Sequence, residues 1–176
     1  WAASCLTNRS SRPVVAGVMS SARNDGRSSS LSSNAVRADD RATVAALNSR
    51  AREDRIQAGA VDSGRSVGLA EDTQALAGDL VTTRPGDRRL IAGKTGWVRN
   101  GDRWTVLAVH DDGSVAVQRA GHRRGATVAL PAEYVAERLN LGYAVTAYRA
   151  QGVTVDTAHV IVTGQTAREN LYAALT

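Results

Sequence analysis

Gly93-Lys94-Thr95 is the triplet with which a phosphate-binding loop closes. In that loop, G-x-x-x-x-G-K-[ST], an earlier glycine lets successive backbone N–H groups wrap the phosphates before a helix begins. Here the earlier position is Arg88, Gly86 comes too soon, and Gly96-Trp97-Val98 continues as strand-like sequence rather than helix. The triplet therefore reads as a basic hairpin loop. His110, His122 and His159 are scattered, with no Cys or carboxylate at ligand spacing, so a metal site is not expected. No G-x-S-x-G elbow presents a serine nucleophile. The sequence offers no self-contained active site.

The stretch with the densest chemistry is GYAVTAYRAQGVTVD, residues 142–156. It reads as a strand feeding a loop that carries Thr146, Tyr148, Arg149, Gln151 and Gly152 in close order. A threonine hydroxyl with exposed backbone N–H groups can hold a nucleic-acid phosphate, and Arg149 adds charge. The alternative reading of the same residues is an amphipathic turn with a glycine cap.

Charge points the same way. The chain carries 22 Lys and Arg against 17 Asp and Glu, a net +5 with a pI near 10.1. Residues 84–124 hold nine of the basic residues and four aspartates, so this one segment accounts for the whole excess. A basic stripe is the electrostatic footprint of a phosphate-backbone binder; an Arg-rich solvated surface is the plainer alternative. Cys5 is the sole cysteine, which excludes an intrachain disulfide and fits a reducing compartment. The apolar run at residues 13–19 is far too short to span a bilayer. Arg9 and Arg12 precede it, but no convincing signal-cleavage site follows. The expectation is a cytoplasmic protein with no membrane partner.

Certain elements must position these groups. Residues 1–35 are Ser-rich, with the low-complexity run RSSSLSSN, and are expected to be poorly ordered. Translation starting near Met19 is one explanation for a chain that opens on Trp1. Next, Val44, Leu47, Ala51 and Ile56 recur near helical spacing behind Asp40, an N-cap, and ahead of Gly59, a stop. Residues 36–77 form the first part of an α/β lobe on this reading. From residue 78 to 135 the pattern changes to short β-rich runs at 80–83, 96–99, 104–110, 114–118 and 127–130. Asn100-Gly101 and Asp112-Gly113 between them are hairpin signals, because those residues tolerate positive φ. Five short strands predict a small SH3-like β-barrel. Residues 136–176 return to α/β character, with strands at 142–145 and 158–163 and a short helix at 146–151. Thr166 and Glu169 are spaced as a capping box for a helix still running at Thr176, which reads as a fragment of something longer. Phe is absent and aromatics total 4%, so the core is expected to be Ala, Val and Leu.

Residues 142–156 resemble motif V, T-x-H-K/R-S/A-Q-G, of RecD-like superfamily 1 DNA helicases. ENLYAALT resembles the start of their motif VI, and DDRATVAALNSRAREDR is similar to the helix around motif IV of helicases fused to conjugative relaxases. GDLVTTRPGDRRL and GWVRNGDRWTVLAVHDDGSVAV are similar to the SH3-like insert of that family. These elements follow one another in family order over residues 36–176. The resemblance implies an α/β, RecA-like second helicase lobe interrupted by an SH3-like β-barrel insert. It implies that Thr146 and Tyr148 touch single-stranded DNA, with Tyr148 standing where histidine is usual. Arg84, Arg88, Arg89, Lys94, Arg99 and Arg103 of the insert would clamp the strand. Arg149, Gln151, Gly152, Tyr172 and Thr176 would belong to the nucleotide cleft.

Two departures bear on activity. The sequence has no Walker A loop and no Walker B acidic pair, and phosphoryl transfer needs the loop backbone, its Lys, Mg²⁺ and an arginine finger together. ATP and Mg²⁺ are thus expected only in a full-length protein, with none bound by this chain alone, and a partner lobe or relaxase domain is implied. The strand expected before motif IV is weakly coded, apolar only at Ala35-Val36. Two rival readings stand beside the helicase lobe: a single-stranded DNA-binding module that never meets a motor, and an inactive gene remnant. For the module, Trp97 and Trp104 could stack on bases, although large aromatics are more often core.

Overall fold

Asp40 turns the chain into its first helix: one carboxylate oxygen accepts from the Thr43 N–H at 2.8 Å and the other from the Thr43 hydroxyl at 2.6 Å. The first of these bonds satisfies a backbone donor that the first helical turn leaves without a partner. The computed structural model describes residues 34–38, 40–92, 96–121, 125–150, 157–162 and 166–175. Residues 1–33, with Cys5 and Met19, lie outside them, as do Lys94, Gln151, Gly152 and Thr176 among the predicted site residues.

In chain order the first half comprises β1 (Asn34–Ala38), α1 (Arg41–Gln57), β2 (Val67–Gly68), β3 (Gln74–Ala75), β4 (Leu80–Thr83), β5 (Asp87–Ile91) and β6 (Trp97–Val98). There follow β7 (Arg103–Val109), β8 (Val115–Arg119), β9 (Thr127–Leu130), α2 (Ala132–Arg138), β10 (Leu139–Leu141), β11 (Ala144–Thr146), β12 (Thr157–Val160) and α3 (Arg168–Leu175). A 3-10 turn, Ala147–Ala150, continues directly from β11. The predicted boundaries of β4 and β9 match those observed, and Gly59 takes the positive φ, +66°, that ends α1.

Two sheets organise the molecule. β1 is the centre of a parallel sheet ordered β11-β1-β12, with Val36 beside Ala144 and Ala35 beside Ala158. The strand most weakly coded in the sequence is therefore the central one. A strand paired on both edges is specified by its ladder and by the helix over it, not by its own composition. Val36, Ala38, Val44, Leu47 and Ala144 form the small core between this sheet and α1. The inward face of α1 is Val44, Leu47 and Asn48; Ile56, counted on that stripe from spacing, is exposed.

The second sheet is antiparallel, ordered β10-β4-β7-β8-β9. In β9 the inward residues are Val128 and Leu130 and the outward ones Thr127 and Ala129. Trp104, Val106, Val115, Val117, Val128 and Leu130 fill one face together with Leu139. Among the described residues no sheet closes, so the predicted SH3-like barrel is replaced by an open sheet with a separate β5–β6 ribbon. The reason is visible in the connection between the two edge strands. α2 joins the two edge strands, β9 and β10, and puts Tyr134 and Val135 into the core, so the edges are linked by a helix and not by strand pairing. No element had been predicted there. β10 pairs with β4 from Leu139 to Leu141, so this sheet runs past residue 135.

Candidate nucleic-acid interface

Between the two sheets lies a cleft of about 540 Å³. One wall is the end of β4 and the turn between β6 and β7: Thr82, Arg84, Arg99, Asn100, Gly101, Asp102 and Arg103. The other is Val36, Gly142, Tyr143, Val145, Tyr148 and Arg149.

The β6–β7 turn is built around Thr83. Its hydroxyl donates to the Arg99 carbonyl at 2.8 Å, its carbonyl accepts from Gly101 N–H at 2.9 Å, and its own N–H reaches the Asp102 carbonyl at 3.1 Å. Asn100-Gly101 is the hairpin dipeptide picked out in the sequence, and Gly101 has φ +81°. Gly86 passes so close behind the turn that a Cβ there would meet Asn100 N and the Val98 carbonyl oxygen at 2.6 Å. The arginines at 84, 99 and 103 are thus fixed to one backbone frame.

Four arginines, at 84, 99, 103 and 149, line this cleft, against one acid among the described lining residues, Asp102. That acid is already paired: Arg119 donates to it at 2.9 and 3.3 Å while lying over the Trp104 ring at 5.1 Å. The cleft is therefore electropositive. Burial pulls the Arg103 guanidinium below its usual value. Arg84 is the most informative: its Nη1 is screened from solvent and finds no acceptor among the described residues. A buried guanidinium donor with nothing to receive it costs free energy.

Of the residues predicted to bind DNA, the structure brings Arg84, Arg99, Arg103 and Tyr148 together here. Tyr148 stands largely exposed at the rim. Arg149, expected on the nucleotide side, joins them, whereas Thr146 closes β11 beside Ala38 and is not among the lining residues. Arg88 and Arg89 lie on β5 outside the cleft; Arg88 sits 5.4 Å from the Trp97 ring centre and Arg89 is bonded to Asp87 at 3.0 Å. The two stacking candidates separate: Trp104 is fully buried, its N–H 3.4 Å from the Thr83 hydroxyl, while Trp97 is half-buried between the reach of Arg88 and Arg99. Tyr172 is exposed on α3, which packs against the turn carrying Arg149. The reading missed Tyr143 and Gly142; their signal was the glycine-aromatic pair that opens residues 142–156. Among the described residues no His, Cys, Asp and Glu cluster could hold a metal, and no helix is long and apolar enough to cross a membrane.

No family model matches the chain. It is 39% identical over 80 residues to an uncharacterised Mycobacterium tuberculosis protein, MT2373 in strain CDC 1551 / Oshkosh and Rv2311 in strain H37Rv. The match spans 45% of this chain and 45% of the relative, under half the relative's length. Similar solved structures are helicases. The Pif1 helicase from Bacteroides in complex with ADP-AlF3 and ssDNA aligns over 86% of this chain and 40% of its own, with a TM-score of 0.56 and 20% identity. The unliganded Bacteroides Pif1 aligns with a TM-score of 0.52 at 18% identity, over 81% of this chain and 37% of that one. Pif1 from Candida albicans gives 0.52 at 13% identity, over 87% of this chain and 44% of its own. At these identities the likeness is one of fold: the chain has a helicase-like α/β fold.

Proposed function

We propose that the chain is a lobe of a DNA helicase and that it grips single-stranded DNA in the arginine cleft. The observation that carries this is the convergence of Arg84, Arg99, Arg103 and Arg149 from the two sides of one groove. Arginine forks suit phosphate oxygens, and the exposed Tyr148 ring at the rim offers a face on which a base could stack. One helicase neighbour was solved with ssDNA, which supports the same ligand class. ATP-driven unwinding belongs, on this reading, to a longer protein that also holds a phosphate-loop lobe, working in the cytoplasm. Assignment to the relaxase-fused, conjugative kind rests on the order of the sequence elements alone.

Anisotropy of a labelled single-stranded oligonucleotide, titrated at several salt concentrations, tests the reading. Four phosphate contacts predict a slope of log K on log salt of about −3, at about 0.7 per contact for a single strand. Absence of binding at low salt, or binding with a flat slope, would remove the reading.

A further inference from the structure

Asp79 is not itself among the residues that line the proposed binding groove, and it is completely buried. Its carboxylate accepts three bonds: from Arg52 Nε at 3.1 Å, from Leu76 N–H at 2.8 Å and from the Tyr143 hydroxyl at 2.6 Å. Arg52 lies on α1 above the parallel sheet, whereas Asp79 leads into the antiparallel sheet and Tyr143 leads back out of it. One carboxylate thus joins the helix to both chain crossings between the sheets.

The neighbouring residues reinforce the same joint. Arg55 reaches the Gly78 carbonyl at 3.4 Å and lies 5.8 Å from the centre of the Tyr143 ring. Asn48 exchanges two buried bonds with Ala144, accepting from its N–H at 2.8 Å and donating to its carbonyl at 3.2 Å. Asn48, Arg52 and Arg55 follow the three-and-four spacing of one helix face, so α1 presents a polar stripe to the joint. Both crossings are also glycines under close backbone contact. A Cβ on Gly78 would meet the Ala60 carbonyl oxygen at 2.5 Å, and one on Gly142 would meet Val81 at 2.9 Å. Burial and the bond to Asp79 push the Tyr143 hydroxyl well above the usual tyrosine range, so it remains a donor.

We propose that Asp79 is a positioning residue for nucleic-acid binding: it locks the two sheets at one relative placement through Arg52 and Tyr143, and so sets the cleft that lies between them. The inference rests on the DNA-binding reading for its consequence, but not for the lock itself. Tyr143 and Gly142 line the cleft directly, so movement at the joint moves one wall against the arginines of the other. An uncharged side chain at 79 would leave Arg52 without its counter-charge.

The test uses the full chain with Cys5→Ser, spin labels at Glu53→Cys on exposed α1 and Ala129→Cys on exposed β9, and Asp79→Asn added. The label-to-label distance distribution is expected to broaden. In the same protein, oligonucleotide affinity should fall about tenfold, as the competent fraction drops to roughly a tenth, with an unchanged salt slope. Tyr143→Phe, which keeps the Arg52 pair, should give a milder broadening and about a threefold loss; it carries the test if Asp79→Asn no longer melts cooperatively. An unchanged distribution would overturn the proposal, and so would a broadened one with undiminished affinity. If the unsubstituted chain binds no oligonucleotide, the DNA reading fails by itself, and the distance distribution alone then decides the lock.

Discussion

Arg84 and Arg89 have the same chemistry and sit in the same basic segment, but their surroundings give them different expected roles. Arg84 lines the cleft, is anchored by its backbone N–H to the Arg138 carbonyl at 2.6 Å, and keeps one guanidinium nitrogen screened from solvent. Arg89 is exposed and its guanidinium spends two bonds on Asp87. Arg84→Ala is therefore expected to weaken oligonucleotide binding roughly tenfold, the scale of a lost charge-assisted bond, and to lower the salt slope by about 0.7. Arg89→Ala should change affinity by less than about twofold. Equal losses from the two, read in the same anisotropy titration, would mean that the basic segment acts as a diffuse charge and not as a shaped groove. Sequence could name both arginines as basic; only the frame around Thr83 distinguishes them. The same limit applies to tryptophans 97 and 104, alike in sequence and separated by burial.

Among the elements, α1 was the most legible, because its N-cap, its Val44–Leu47 stripe and its glycine stop are all local signals. What spacing of apolar residues could not show is the polar stripe Asn48, Arg52 and Arg55, whose partners are distant in the chain. The β-rich runs were legible from turn residues and alternation, whereas closure of the sheet depends on which edges meet, and local turn signals do not encode that. The cap carries its own prediction. Thr43's two bonds hold the Asp40 carboxyl below its ordinary 3.8. With the folded value depressed, the cap's contribution is fully present above the unfolded carboxylate range and is lost as pH falls through the folded value. Asp40→Ala should accordingly destabilise the chain by about 1 kcal/mol at neutral pH, with the gap to the unsubstituted chain closing in acid below the usual carboxylate range. Paired urea melts at the two pH values check it; a gap independent of pH would show that the carboxylate is not the capping group.

At the scale of the whole molecule, a parallel sheet with its helix and an antiparallel sheet with its own core share one joint, and the arginine cleft falls between them. The fold class was legible because α/β character flanks a β-rich middle. The cleft was legible only as a charge excess, since its walls come from residues distant in sequence that meet through the crossings at Gly78 and Gly142. Those crossings have a consequence for the order in which the chain assembles. The bond from Ala144 N–H to Asn48 spans 96 residues, a long loop to close from a disordered chain. The antiparallel sheet holds its own two ends together, Gly142 N–H on the Leu80 carbonyl at 2.8 Å, so once it forms, the effective loop between β1 and β11 becomes short. Each halving lowers the closure cost by about 0.6 kcal/mol. In pulse-labelled hydrogen exchange during refolding, amide protection at Val106 and Val117 should precede protection at Ala144. The inserted sheet would then act as a scaffold for its host: the segment that interrupts the parallel sheet is also what lets its strands find one another.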